Sequence, residues 1–319
     1  MTPIRYQRLT TFVILANLAV IVWGAFVRAS GSGAGCGNHW PMCNGQVLPA
    51  MGSTKTMIEF THRVTSGLAL IGVVLQYVFA RRLFAKGTAA RRAAGFALLF
   101  IVTEALVGAG LVLFEMVAHN KSVARAWWMT AHLLNTFALV AALTLAWWHA
   151  RPRKPLVLPT HRYVALSNLC LAGVTIVALS GAIAALGDTL FPASSLAAGF
   201  AHDFIATAHL FVRLRIWHPF LAVSVGALLL AVSGRLLLAE GFEGVRNTAT
   251  AIAALVVLQL SLGIVNLLLL APVPLQLIHL LVADLLWMTL VVLRAQMGAA
   301  AKLPQVAGVH VPAPRLHTS

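Results

Sequence analysis

Residues 126–148 read AWWMTAHLLNTFALVAALTLAWW, a run without a single Asp, Glu, Lys or Arg. A helix over that run is long enough to cross the hydrocarbon core of a bilayer. Seven more apolar runs flank it, at about 10–29, 56–80, 93–114, 163–187, 207–233, 247–270 and 275–293. Composition agrees with this reading: 60% of the residues are hydrophobic, 10% are charged, and the mean hydropathy is +0.88. A soluble domain carries about a quarter charged residues, so the expected class is an all-α integral membrane protein of about eight transmembrane helices. The net charge of +15 does not point to nucleic acid, because the basic residues fall in short clusters between the apolar runs. The first run, preceded by Arg5 and Arg8, has something of a signal peptide. Its length and the even number of spans argue for a retained helix.

Lys and Arg set the expected orientation. Sixteen of the 23 basic residues fall on segments that would share a side with the N-terminus, among them Arg81, Arg82, Arg91, Arg92, Arg151, Arg235 and Arg294. Cytoplasmic loops carry that excess, so both termini are expected in the cytoplasm, at the plasma membrane. The loops at about 30–55 and 188–206 are then outside.

The runs repeat. His62 aligns with His218, each leading through apolar residues to a basic end, and His132 aligns with His279, each opening His-Leu-Leu. In the third and seventh runs Thr103-Glu104-Ala-Leu-Val-Gly108 lies over Leu258-Gln259-Leu-Ser-Leu-Gly263, and the first and fifth share Gly-Ala at Gly24 and Gly181. Four matches in one order predict two parallel, pseudo-symmetric four-helix bundles. The expected division is 1–155, 156–297 and a disordered tail at 298–319.

Eight of the twelve histidines lie in loops, tails or near span ends. The other four, His62, His132, His218 and His279, sit inside apolar runs, at similar depths on the second, fourth, sixth and eighth. Polar groups at that depth are costly and mark function. Two imidazoles facing each other in a four-helix bundle suit the axial positions of a haem. Zinc or copper would also accept imidazole, but with carboxylate or thiolate ligands beside it, and none stands beside His218.

The two pockets differ. Glu59 precedes His62 by three residues and shares its helix face, whereas the repeat puts Arg215 before His218. Glu59 is a candidate acid at the edge of a macrocycle, or an ion-pair partner of Arg63 or Lys55. Arg213 and Arg215 are candidate contacts for propionates, or anchors reaching to the interface. Asp284 and Glu104 read as packing or hydrogen-bonding groups. Cys36 and Cys43 lie in the first external loop, where a disulfide is the default, as a staple or as a redox-active pair. Cys170 reads as a small apolar residue.

Together these residues resemble the haem A synthase family. The resemblance rests on Arg28-Ala-Ser-Gly-Ser-Gly, Cys36, Trp40-Pro41, Cys43-Asn44-Gly45, Glu59-Phe-Thr-His62-Arg63, His132-Leu-Leu, His218-Pro219 and His279-Leu-Leu. It implies an oxidoreductase that converts the C8 methyl of haem O to a formyl group through successive hydroxylations, giving haem A. It implies a haem b cofactor held by His218 and His279, with haem O between His62 and His132 and Glu59 as the catalytic acid. A haem O synthase and an external or quinone electron acceptor are the partners it suggests. The family's first-loop cysteine pair maps onto Cys36 and Cys43. Many members carry a second pair between spans five and six, and this sequence has none between Asp188 and Ala206. The rival expectations are a non-catalytic bis-histidine cytochrome b and, more remotely, a haem transporter.

Overall fold

The eight runs become helices whose ends outrun the apolar windows. In the computed structural model, which describes residues 1–50, 52–151 and 162–300, α1 spans Pro3–Ala29, α2 Thr54–Leu83, α3 Ala89–Leu113, α4 Val123–His149 and α5 Arg162–Leu190. They are followed by α6 Leu196–Asp203, α7 Leu210–Arg215, α8 Trp217–Leu238, α9 Arg246–Leu268 and α10 Val273–Ala300. Among the described residues there is no strand, and eight spans (α7 and α8 together making one) are long and apolar enough to cross a membrane. The chain is a multi-pass membrane protein. The expected boundary at 155–156 and the tail beyond Ala300 lie outside the described residues. Gly298–Ala300, expected in the tail, are the last residues of α10.

Local chemistry fixes the ends. Thr2 caps α1 through its hydroxyl on the Arg5 N–H at 3.4 Å, with Pro3 at the first helical position. Ser122 caps α4 in the same way on Arg125. Arg81 and Arg82 occupy the last turn of α2, where a cation complements the exposed carbonyls, so the charges extend the helix.

Two expectations in the second half need correction. The loop at 188–206, expected outside, contains a helix, α6, capped by Ser195 on Ala198 N–H at 3.1 Å. The sixth run is two helices, divided at Ile216. Pro219 has no N–H to give to the carbonyl four residues earlier, Arg215, so the ladder fails there. Proline is tolerated in the first turn of the helix that follows.

Packing follows two closed circuits. α1 packs on α2, α2 on α3, α3 on α4 and α4 on α1; α5 packs on α8, α8 on α9, α9 on α10 and α10 on α5. Between the circuits α4 meets α10, α1 meets α10 and α4 meets α5. This set of neighbours is compatible with a duplicated four-helix unit. The Trp287 ring stacks on Phe137 with centroids 4.5 Å apart, and its Nε1–H donates to the Phe137 carbonyl at 2.9 Å. Arg28 reaches from the last turn of α1 to Ala185 O at 3.0 Å, Thr189 Oγ1 at 2.8 Å and Gln276 Oε1 at 3.0 Å.

The outer faces are apolar. No span has more than 44% of its apolar window buried within the protein, and Phe12, Leu15, Leu68, Leu106, Phe220, Val223, Ile264 and Leu268 project outward. Water would penalise such a surface at about 25 cal/mol per Å²; lipid does not. Helices keep every main-chain bond internal at that depth, which lipid requires.

Candidate functional site

His62, His132, His218 and His279 lie six to nine residues past the starts of their spans. Each stands on a different helix, and glycines clear the room for three of the rings. A Cβ on Gly24 would fall 2.9 Å from His62 Cε1, and one on Gly181 would fall 2.8 Å from His218 Cε1. On Gly263 it would lie 3.4 Å from His279 Cε1. The Gly-Ala pairs that aligned in sequence are therefore the seats of the paired histidines.

His218 and His279 face each other with ring centroids 6.4 Å apart and planes at 87°. Two imidazoles on one metal, each with a bond of about 2.0–2.1 Å and a ring radius of about 1.1 Å, would put their centroids roughly 6.3 Å apart. The spacing of the pair is thus compatible with one metal ion held between the two rings. His218 Nδ1 lies 3.2 Å from Val177 O and 3.1 Å from Ser180 Oγ. A proton on Nδ1 given to that carbonyl leaves the Nε2 lone pair for a metal. His279 Nε2 lies 3.2 Å from the Gln259 amide nitrogen, so the Gln259 amide would have to turn aside before this nitrogen could bind a metal. His279 Nδ1 is buried without a partner.

The first pair is built differently. His62 Nδ1 is buried and has no partner. His132 Nδ1 is 3.2 Å from Glu104 Oε1, close to it but not hydrogen-bonded. Asn135 donates to the other oxygen of Glu104 at 2.5 Å, and the Thr136 hydroxyl donates to Oε1. Glu104, read from sequence as a polar contact of no special interest, is thus the polar neighbour of a site histidine. Asp284 is buried, and both its oxygens lack partners.

Glu59 is 3% exposed and belongs to the loop above the pocket as much as to α2. Its Oε2 accepts the Cys36 N–H at 2.9 Å, and its Oε1 meets Arg63 Nη2 at 2.5 Å. Of the two alternative partners, Arg63 is therefore the one engaged. Arg63 also donates to the carbonyls of His39 and Met42. Cys36 and Cys43 form a disulfide, and Thr56 Oγ1 ties the loop to α2 through Gly35 O at 2.7 Å. A side chain at Gly35 would run into the Lys55 backbone at 2.5 Å.

Arg215, which the repeat pairs with Glu59, is engaged by Asp203 at 2.6 Å, Asp188 at 3.1 Å and Gly199 O at 3.1 Å. Arg213 remains exposed, with one weak contact to Ala206 O at 3.4 Å. Sequence reasoning missed Ser180, Gln259 and Arg28 as site or inter-half contacts. Gln259 carried a signal in its alignment with Glu104 and Arg28 opened a motif of the family resemblance, though nothing pointed to its contacts; Ser180 carried none beyond lying next to Gly181.

The family profile described as cytochrome oxidase assembly protein, COX15-CtaA, matches residues 7–291. The chain belongs to this family. It is 45% identical over 282 residues to a protein of Thermus thermophilus named protoheme IX farnesyltransferase, covering 88% of this chain and 46% of that one. It is 32% identical over 153 residues to a heme A synthase of Halalkalibacterium halodurans, covering 48% and 50%. A heme A synthase of Shouchella clausii is 37% identical over 108 residues, covering 34% and 36%. The chain thus spans about half the length of the curated relatives it matches, or less.

Proposed function

We propose that this chain is a haem A synthase, oxidising the C8 methyl of haem O to a formyl group by successive hydroxylations. The observation that carries the proposal is the 6.4 Å spacing of His218 and His279, set beside a second histidine pair of different surroundings in a chain of this family. His218 and His279 would hold a haem b through their Nε2 atoms. When bound, that cofactor supplies a reversible one-electron sink. His62 and His132 would flank the substrate haem O.

The chain's own residues divide the remaining work. Apolar walls exclude water from both pockets, and Gly24 and Gly181 let the rings approach their helices closely. Glu59 is the acid proposed to handle protons at the substrate edge. Arg63 and the Cys36 N–H aim its carboxylate, and the disulfide holds the loop that carries them. Arg213 keeps a free guanidinium for a propionate, whereas Arg215 meets one only by releasing an aspartate. With the basic clusters inside, both termini lie in the cytoplasm at the plasma membrane, and both pockets sit toward the outer leaflet.

The name of the Thermus relative speaks of prenyl transfer, and this chain matches less than half of that protein. Diphosphate transfer through Mg²⁺ uses carboxylates grouped around the metal. Among the described residues no three acidic, His or Cys side chains group so, and the neighbouring Asp188 and Asp203 are both taken by Arg215. Prenyl transfer is therefore not assigned to these residues, and a haem O synthase is the partner proposed to supply the substrate. A non-catalytic cytochrome would hold two permanent haems and make no haem A. Glu59→Ala separates the readings: formyl formation should vanish while the haem b spectrum stays. Loss of both would make Glu59 structural.

A further inference from the structure

Aligning the runs of the two halves in sequence brings out two exchanges around the histidines. His62 and His218 occupy equivalent seats, each against a glycine. Before Gly181 stands Ser180, whose hydroxyl is 3.1 Å from His218 Nδ1. Before Gly24 stands Trp23, whose Nε1–H is turned to Ile58 O at 3.1 Å. His218 Nδ1 has both a hydroxyl and a carbonyl in reach, and His62 Nδ1, equally buried, has neither. The second exchange runs the other way. Glu104 approaches His132 at Nδ1, and its counterpart Gln259 approaches His279 at Nε2.

A carboxylate behind Nδ1 orients an imidazole, leaves Nε2 for the metal and makes the ring a stronger donor. A ring with no partner behind it has nothing to hold its angle once the metal bond lengthens. In the first pocket both effects favour one side. We infer that His132, positioned by Glu104, is the axial ligand that stays on the substrate iron, and that His62 is the one that leaves. This rests on the reading of the first pocket as a haem site. Departure of His62 opens the face of the macrocycle toward α2, the helix that carries Glu59. Glu104 acts through His132 and is a positioning residue. Its carboxylate is itself steadied by Asn135 and Thr136, so a turn of the His132 ring that formed a hydrogen bond across the 3.2 Å approach would meet a fixed acceptor.

The test uses the full chain purified with its second pocket loaded, titrated with hemin and followed by optical and EPR spectra. Wild type should take up a further equivalent as a six-coordinate low-spin haem. His62→Gly should still bind it, now five-coordinate and high-spin, and added imidazole should restore the low-spin spectrum. His132→Gly should lose it. Glu104→Gln, which installs the amide of the second half, should speed hemin release on the order of 10–100-fold, and Glu104→Asp should recover part of the loss. In each variant the haem between His218 and His279 reports that the protein is folded. If His132→Gly keeps the hemin and His62→Gly loses it, or if Glu104→Gln releases it no faster than wild type, the assignment is overturned. A wild-type chain that takes up no hemin beyond the one lost in His218→Gly would instead remove the first pocket as a haem site.

Discussion

A missing methyl group sets the geometry of each histidine pair. The Cβ that Gly181 lacks would stand 2.8 Å from the His218 ring, and the one Gly24 lacks would stand 2.9 Å from His62. Close-packed interiors do not absorb such an overlap without moving the ring or the helix. Gly181→Ala should therefore lower the haem b bound per protein by tenfold or more. Gly24→Ala should spare haem b and reduce haem A formation instead; pigment analysis of the purified variants distinguishes the two. The four histidines were legible in sequence because an imidazole in an apolar run is conspicuous. Which nitrogen each uses was not. That depends on Val177, Ser180, Gln259 and Glu104, and alignment of the halves put only the last two opposite one another.

Helices rather than single residues carry the second half's departure from the first. The apolar runs showed all eight spans, since hydropathy over twenty residues is a strong signal, while charged last turns and capping hydroxyls moved the ends. The division at Ile216 and the short helix α6 had weaker signals: one proline, and a serine ahead of an alanine-rich stretch. Their consequence is a partly buried ion network in which Arg215 joins α5, α6 and α7 through Asp188, Asp203 and Gly199. Sequence left Arg215 free to meet a propionate because its carboxylates come from distant segments. Arg215→Ala would strand two carboxylates, at less than the about 3–5 kcal/mol that breaking a fully buried pair costs, because solvent screens Asp188. The variant should melt at a clearly lower temperature and be cut by protease within residues 191–209 while the first external loop stays resistant.

At the scale of the whole molecule, two four-helix circuits meet along α4 and α10, and the contact is specific as well as apolar. Arg28 crosses it with three hydrogen bonds, and Trp287 crosses it with a stack and one more. Arg28→Ala leaves Gln276 Oε1 and Thr189 Oγ1 without their Arg28 donor, while Ala185 O keeps the Thr189 hydroxyl, at about 1–3 kcal/mol for each acceptor that stays dry. It should lower the melting temperature, and it should slow electron exchange between the pockets more than it disturbs either haem spectrum. Four aligned motifs led to the expectation of two halves, with which the two circuits are compatible; the contacts joining the circuits were not legible, because the alignment has no counterpart of Arg28 at Ala185. The expected orientation is open to a separate check. Alkaline phosphatase fused after Ala50 should be active and the same fusion after Lys86 inactive, as only the outside permits its folding.

The central claim is that this chain converts haem O to haem A, and the most direct measurement is chemical. The chain is co-expressed with a haem O synthase in cells that make no haem A, and the extracted haems are identified by mass spectrometry. The expected result is haem A, absent without the chain and absent again with Glu59→Ala. Haem O left unconverted beside well-folded protein that still carries haem b would contradict the claim and leave the chain an electron carrier.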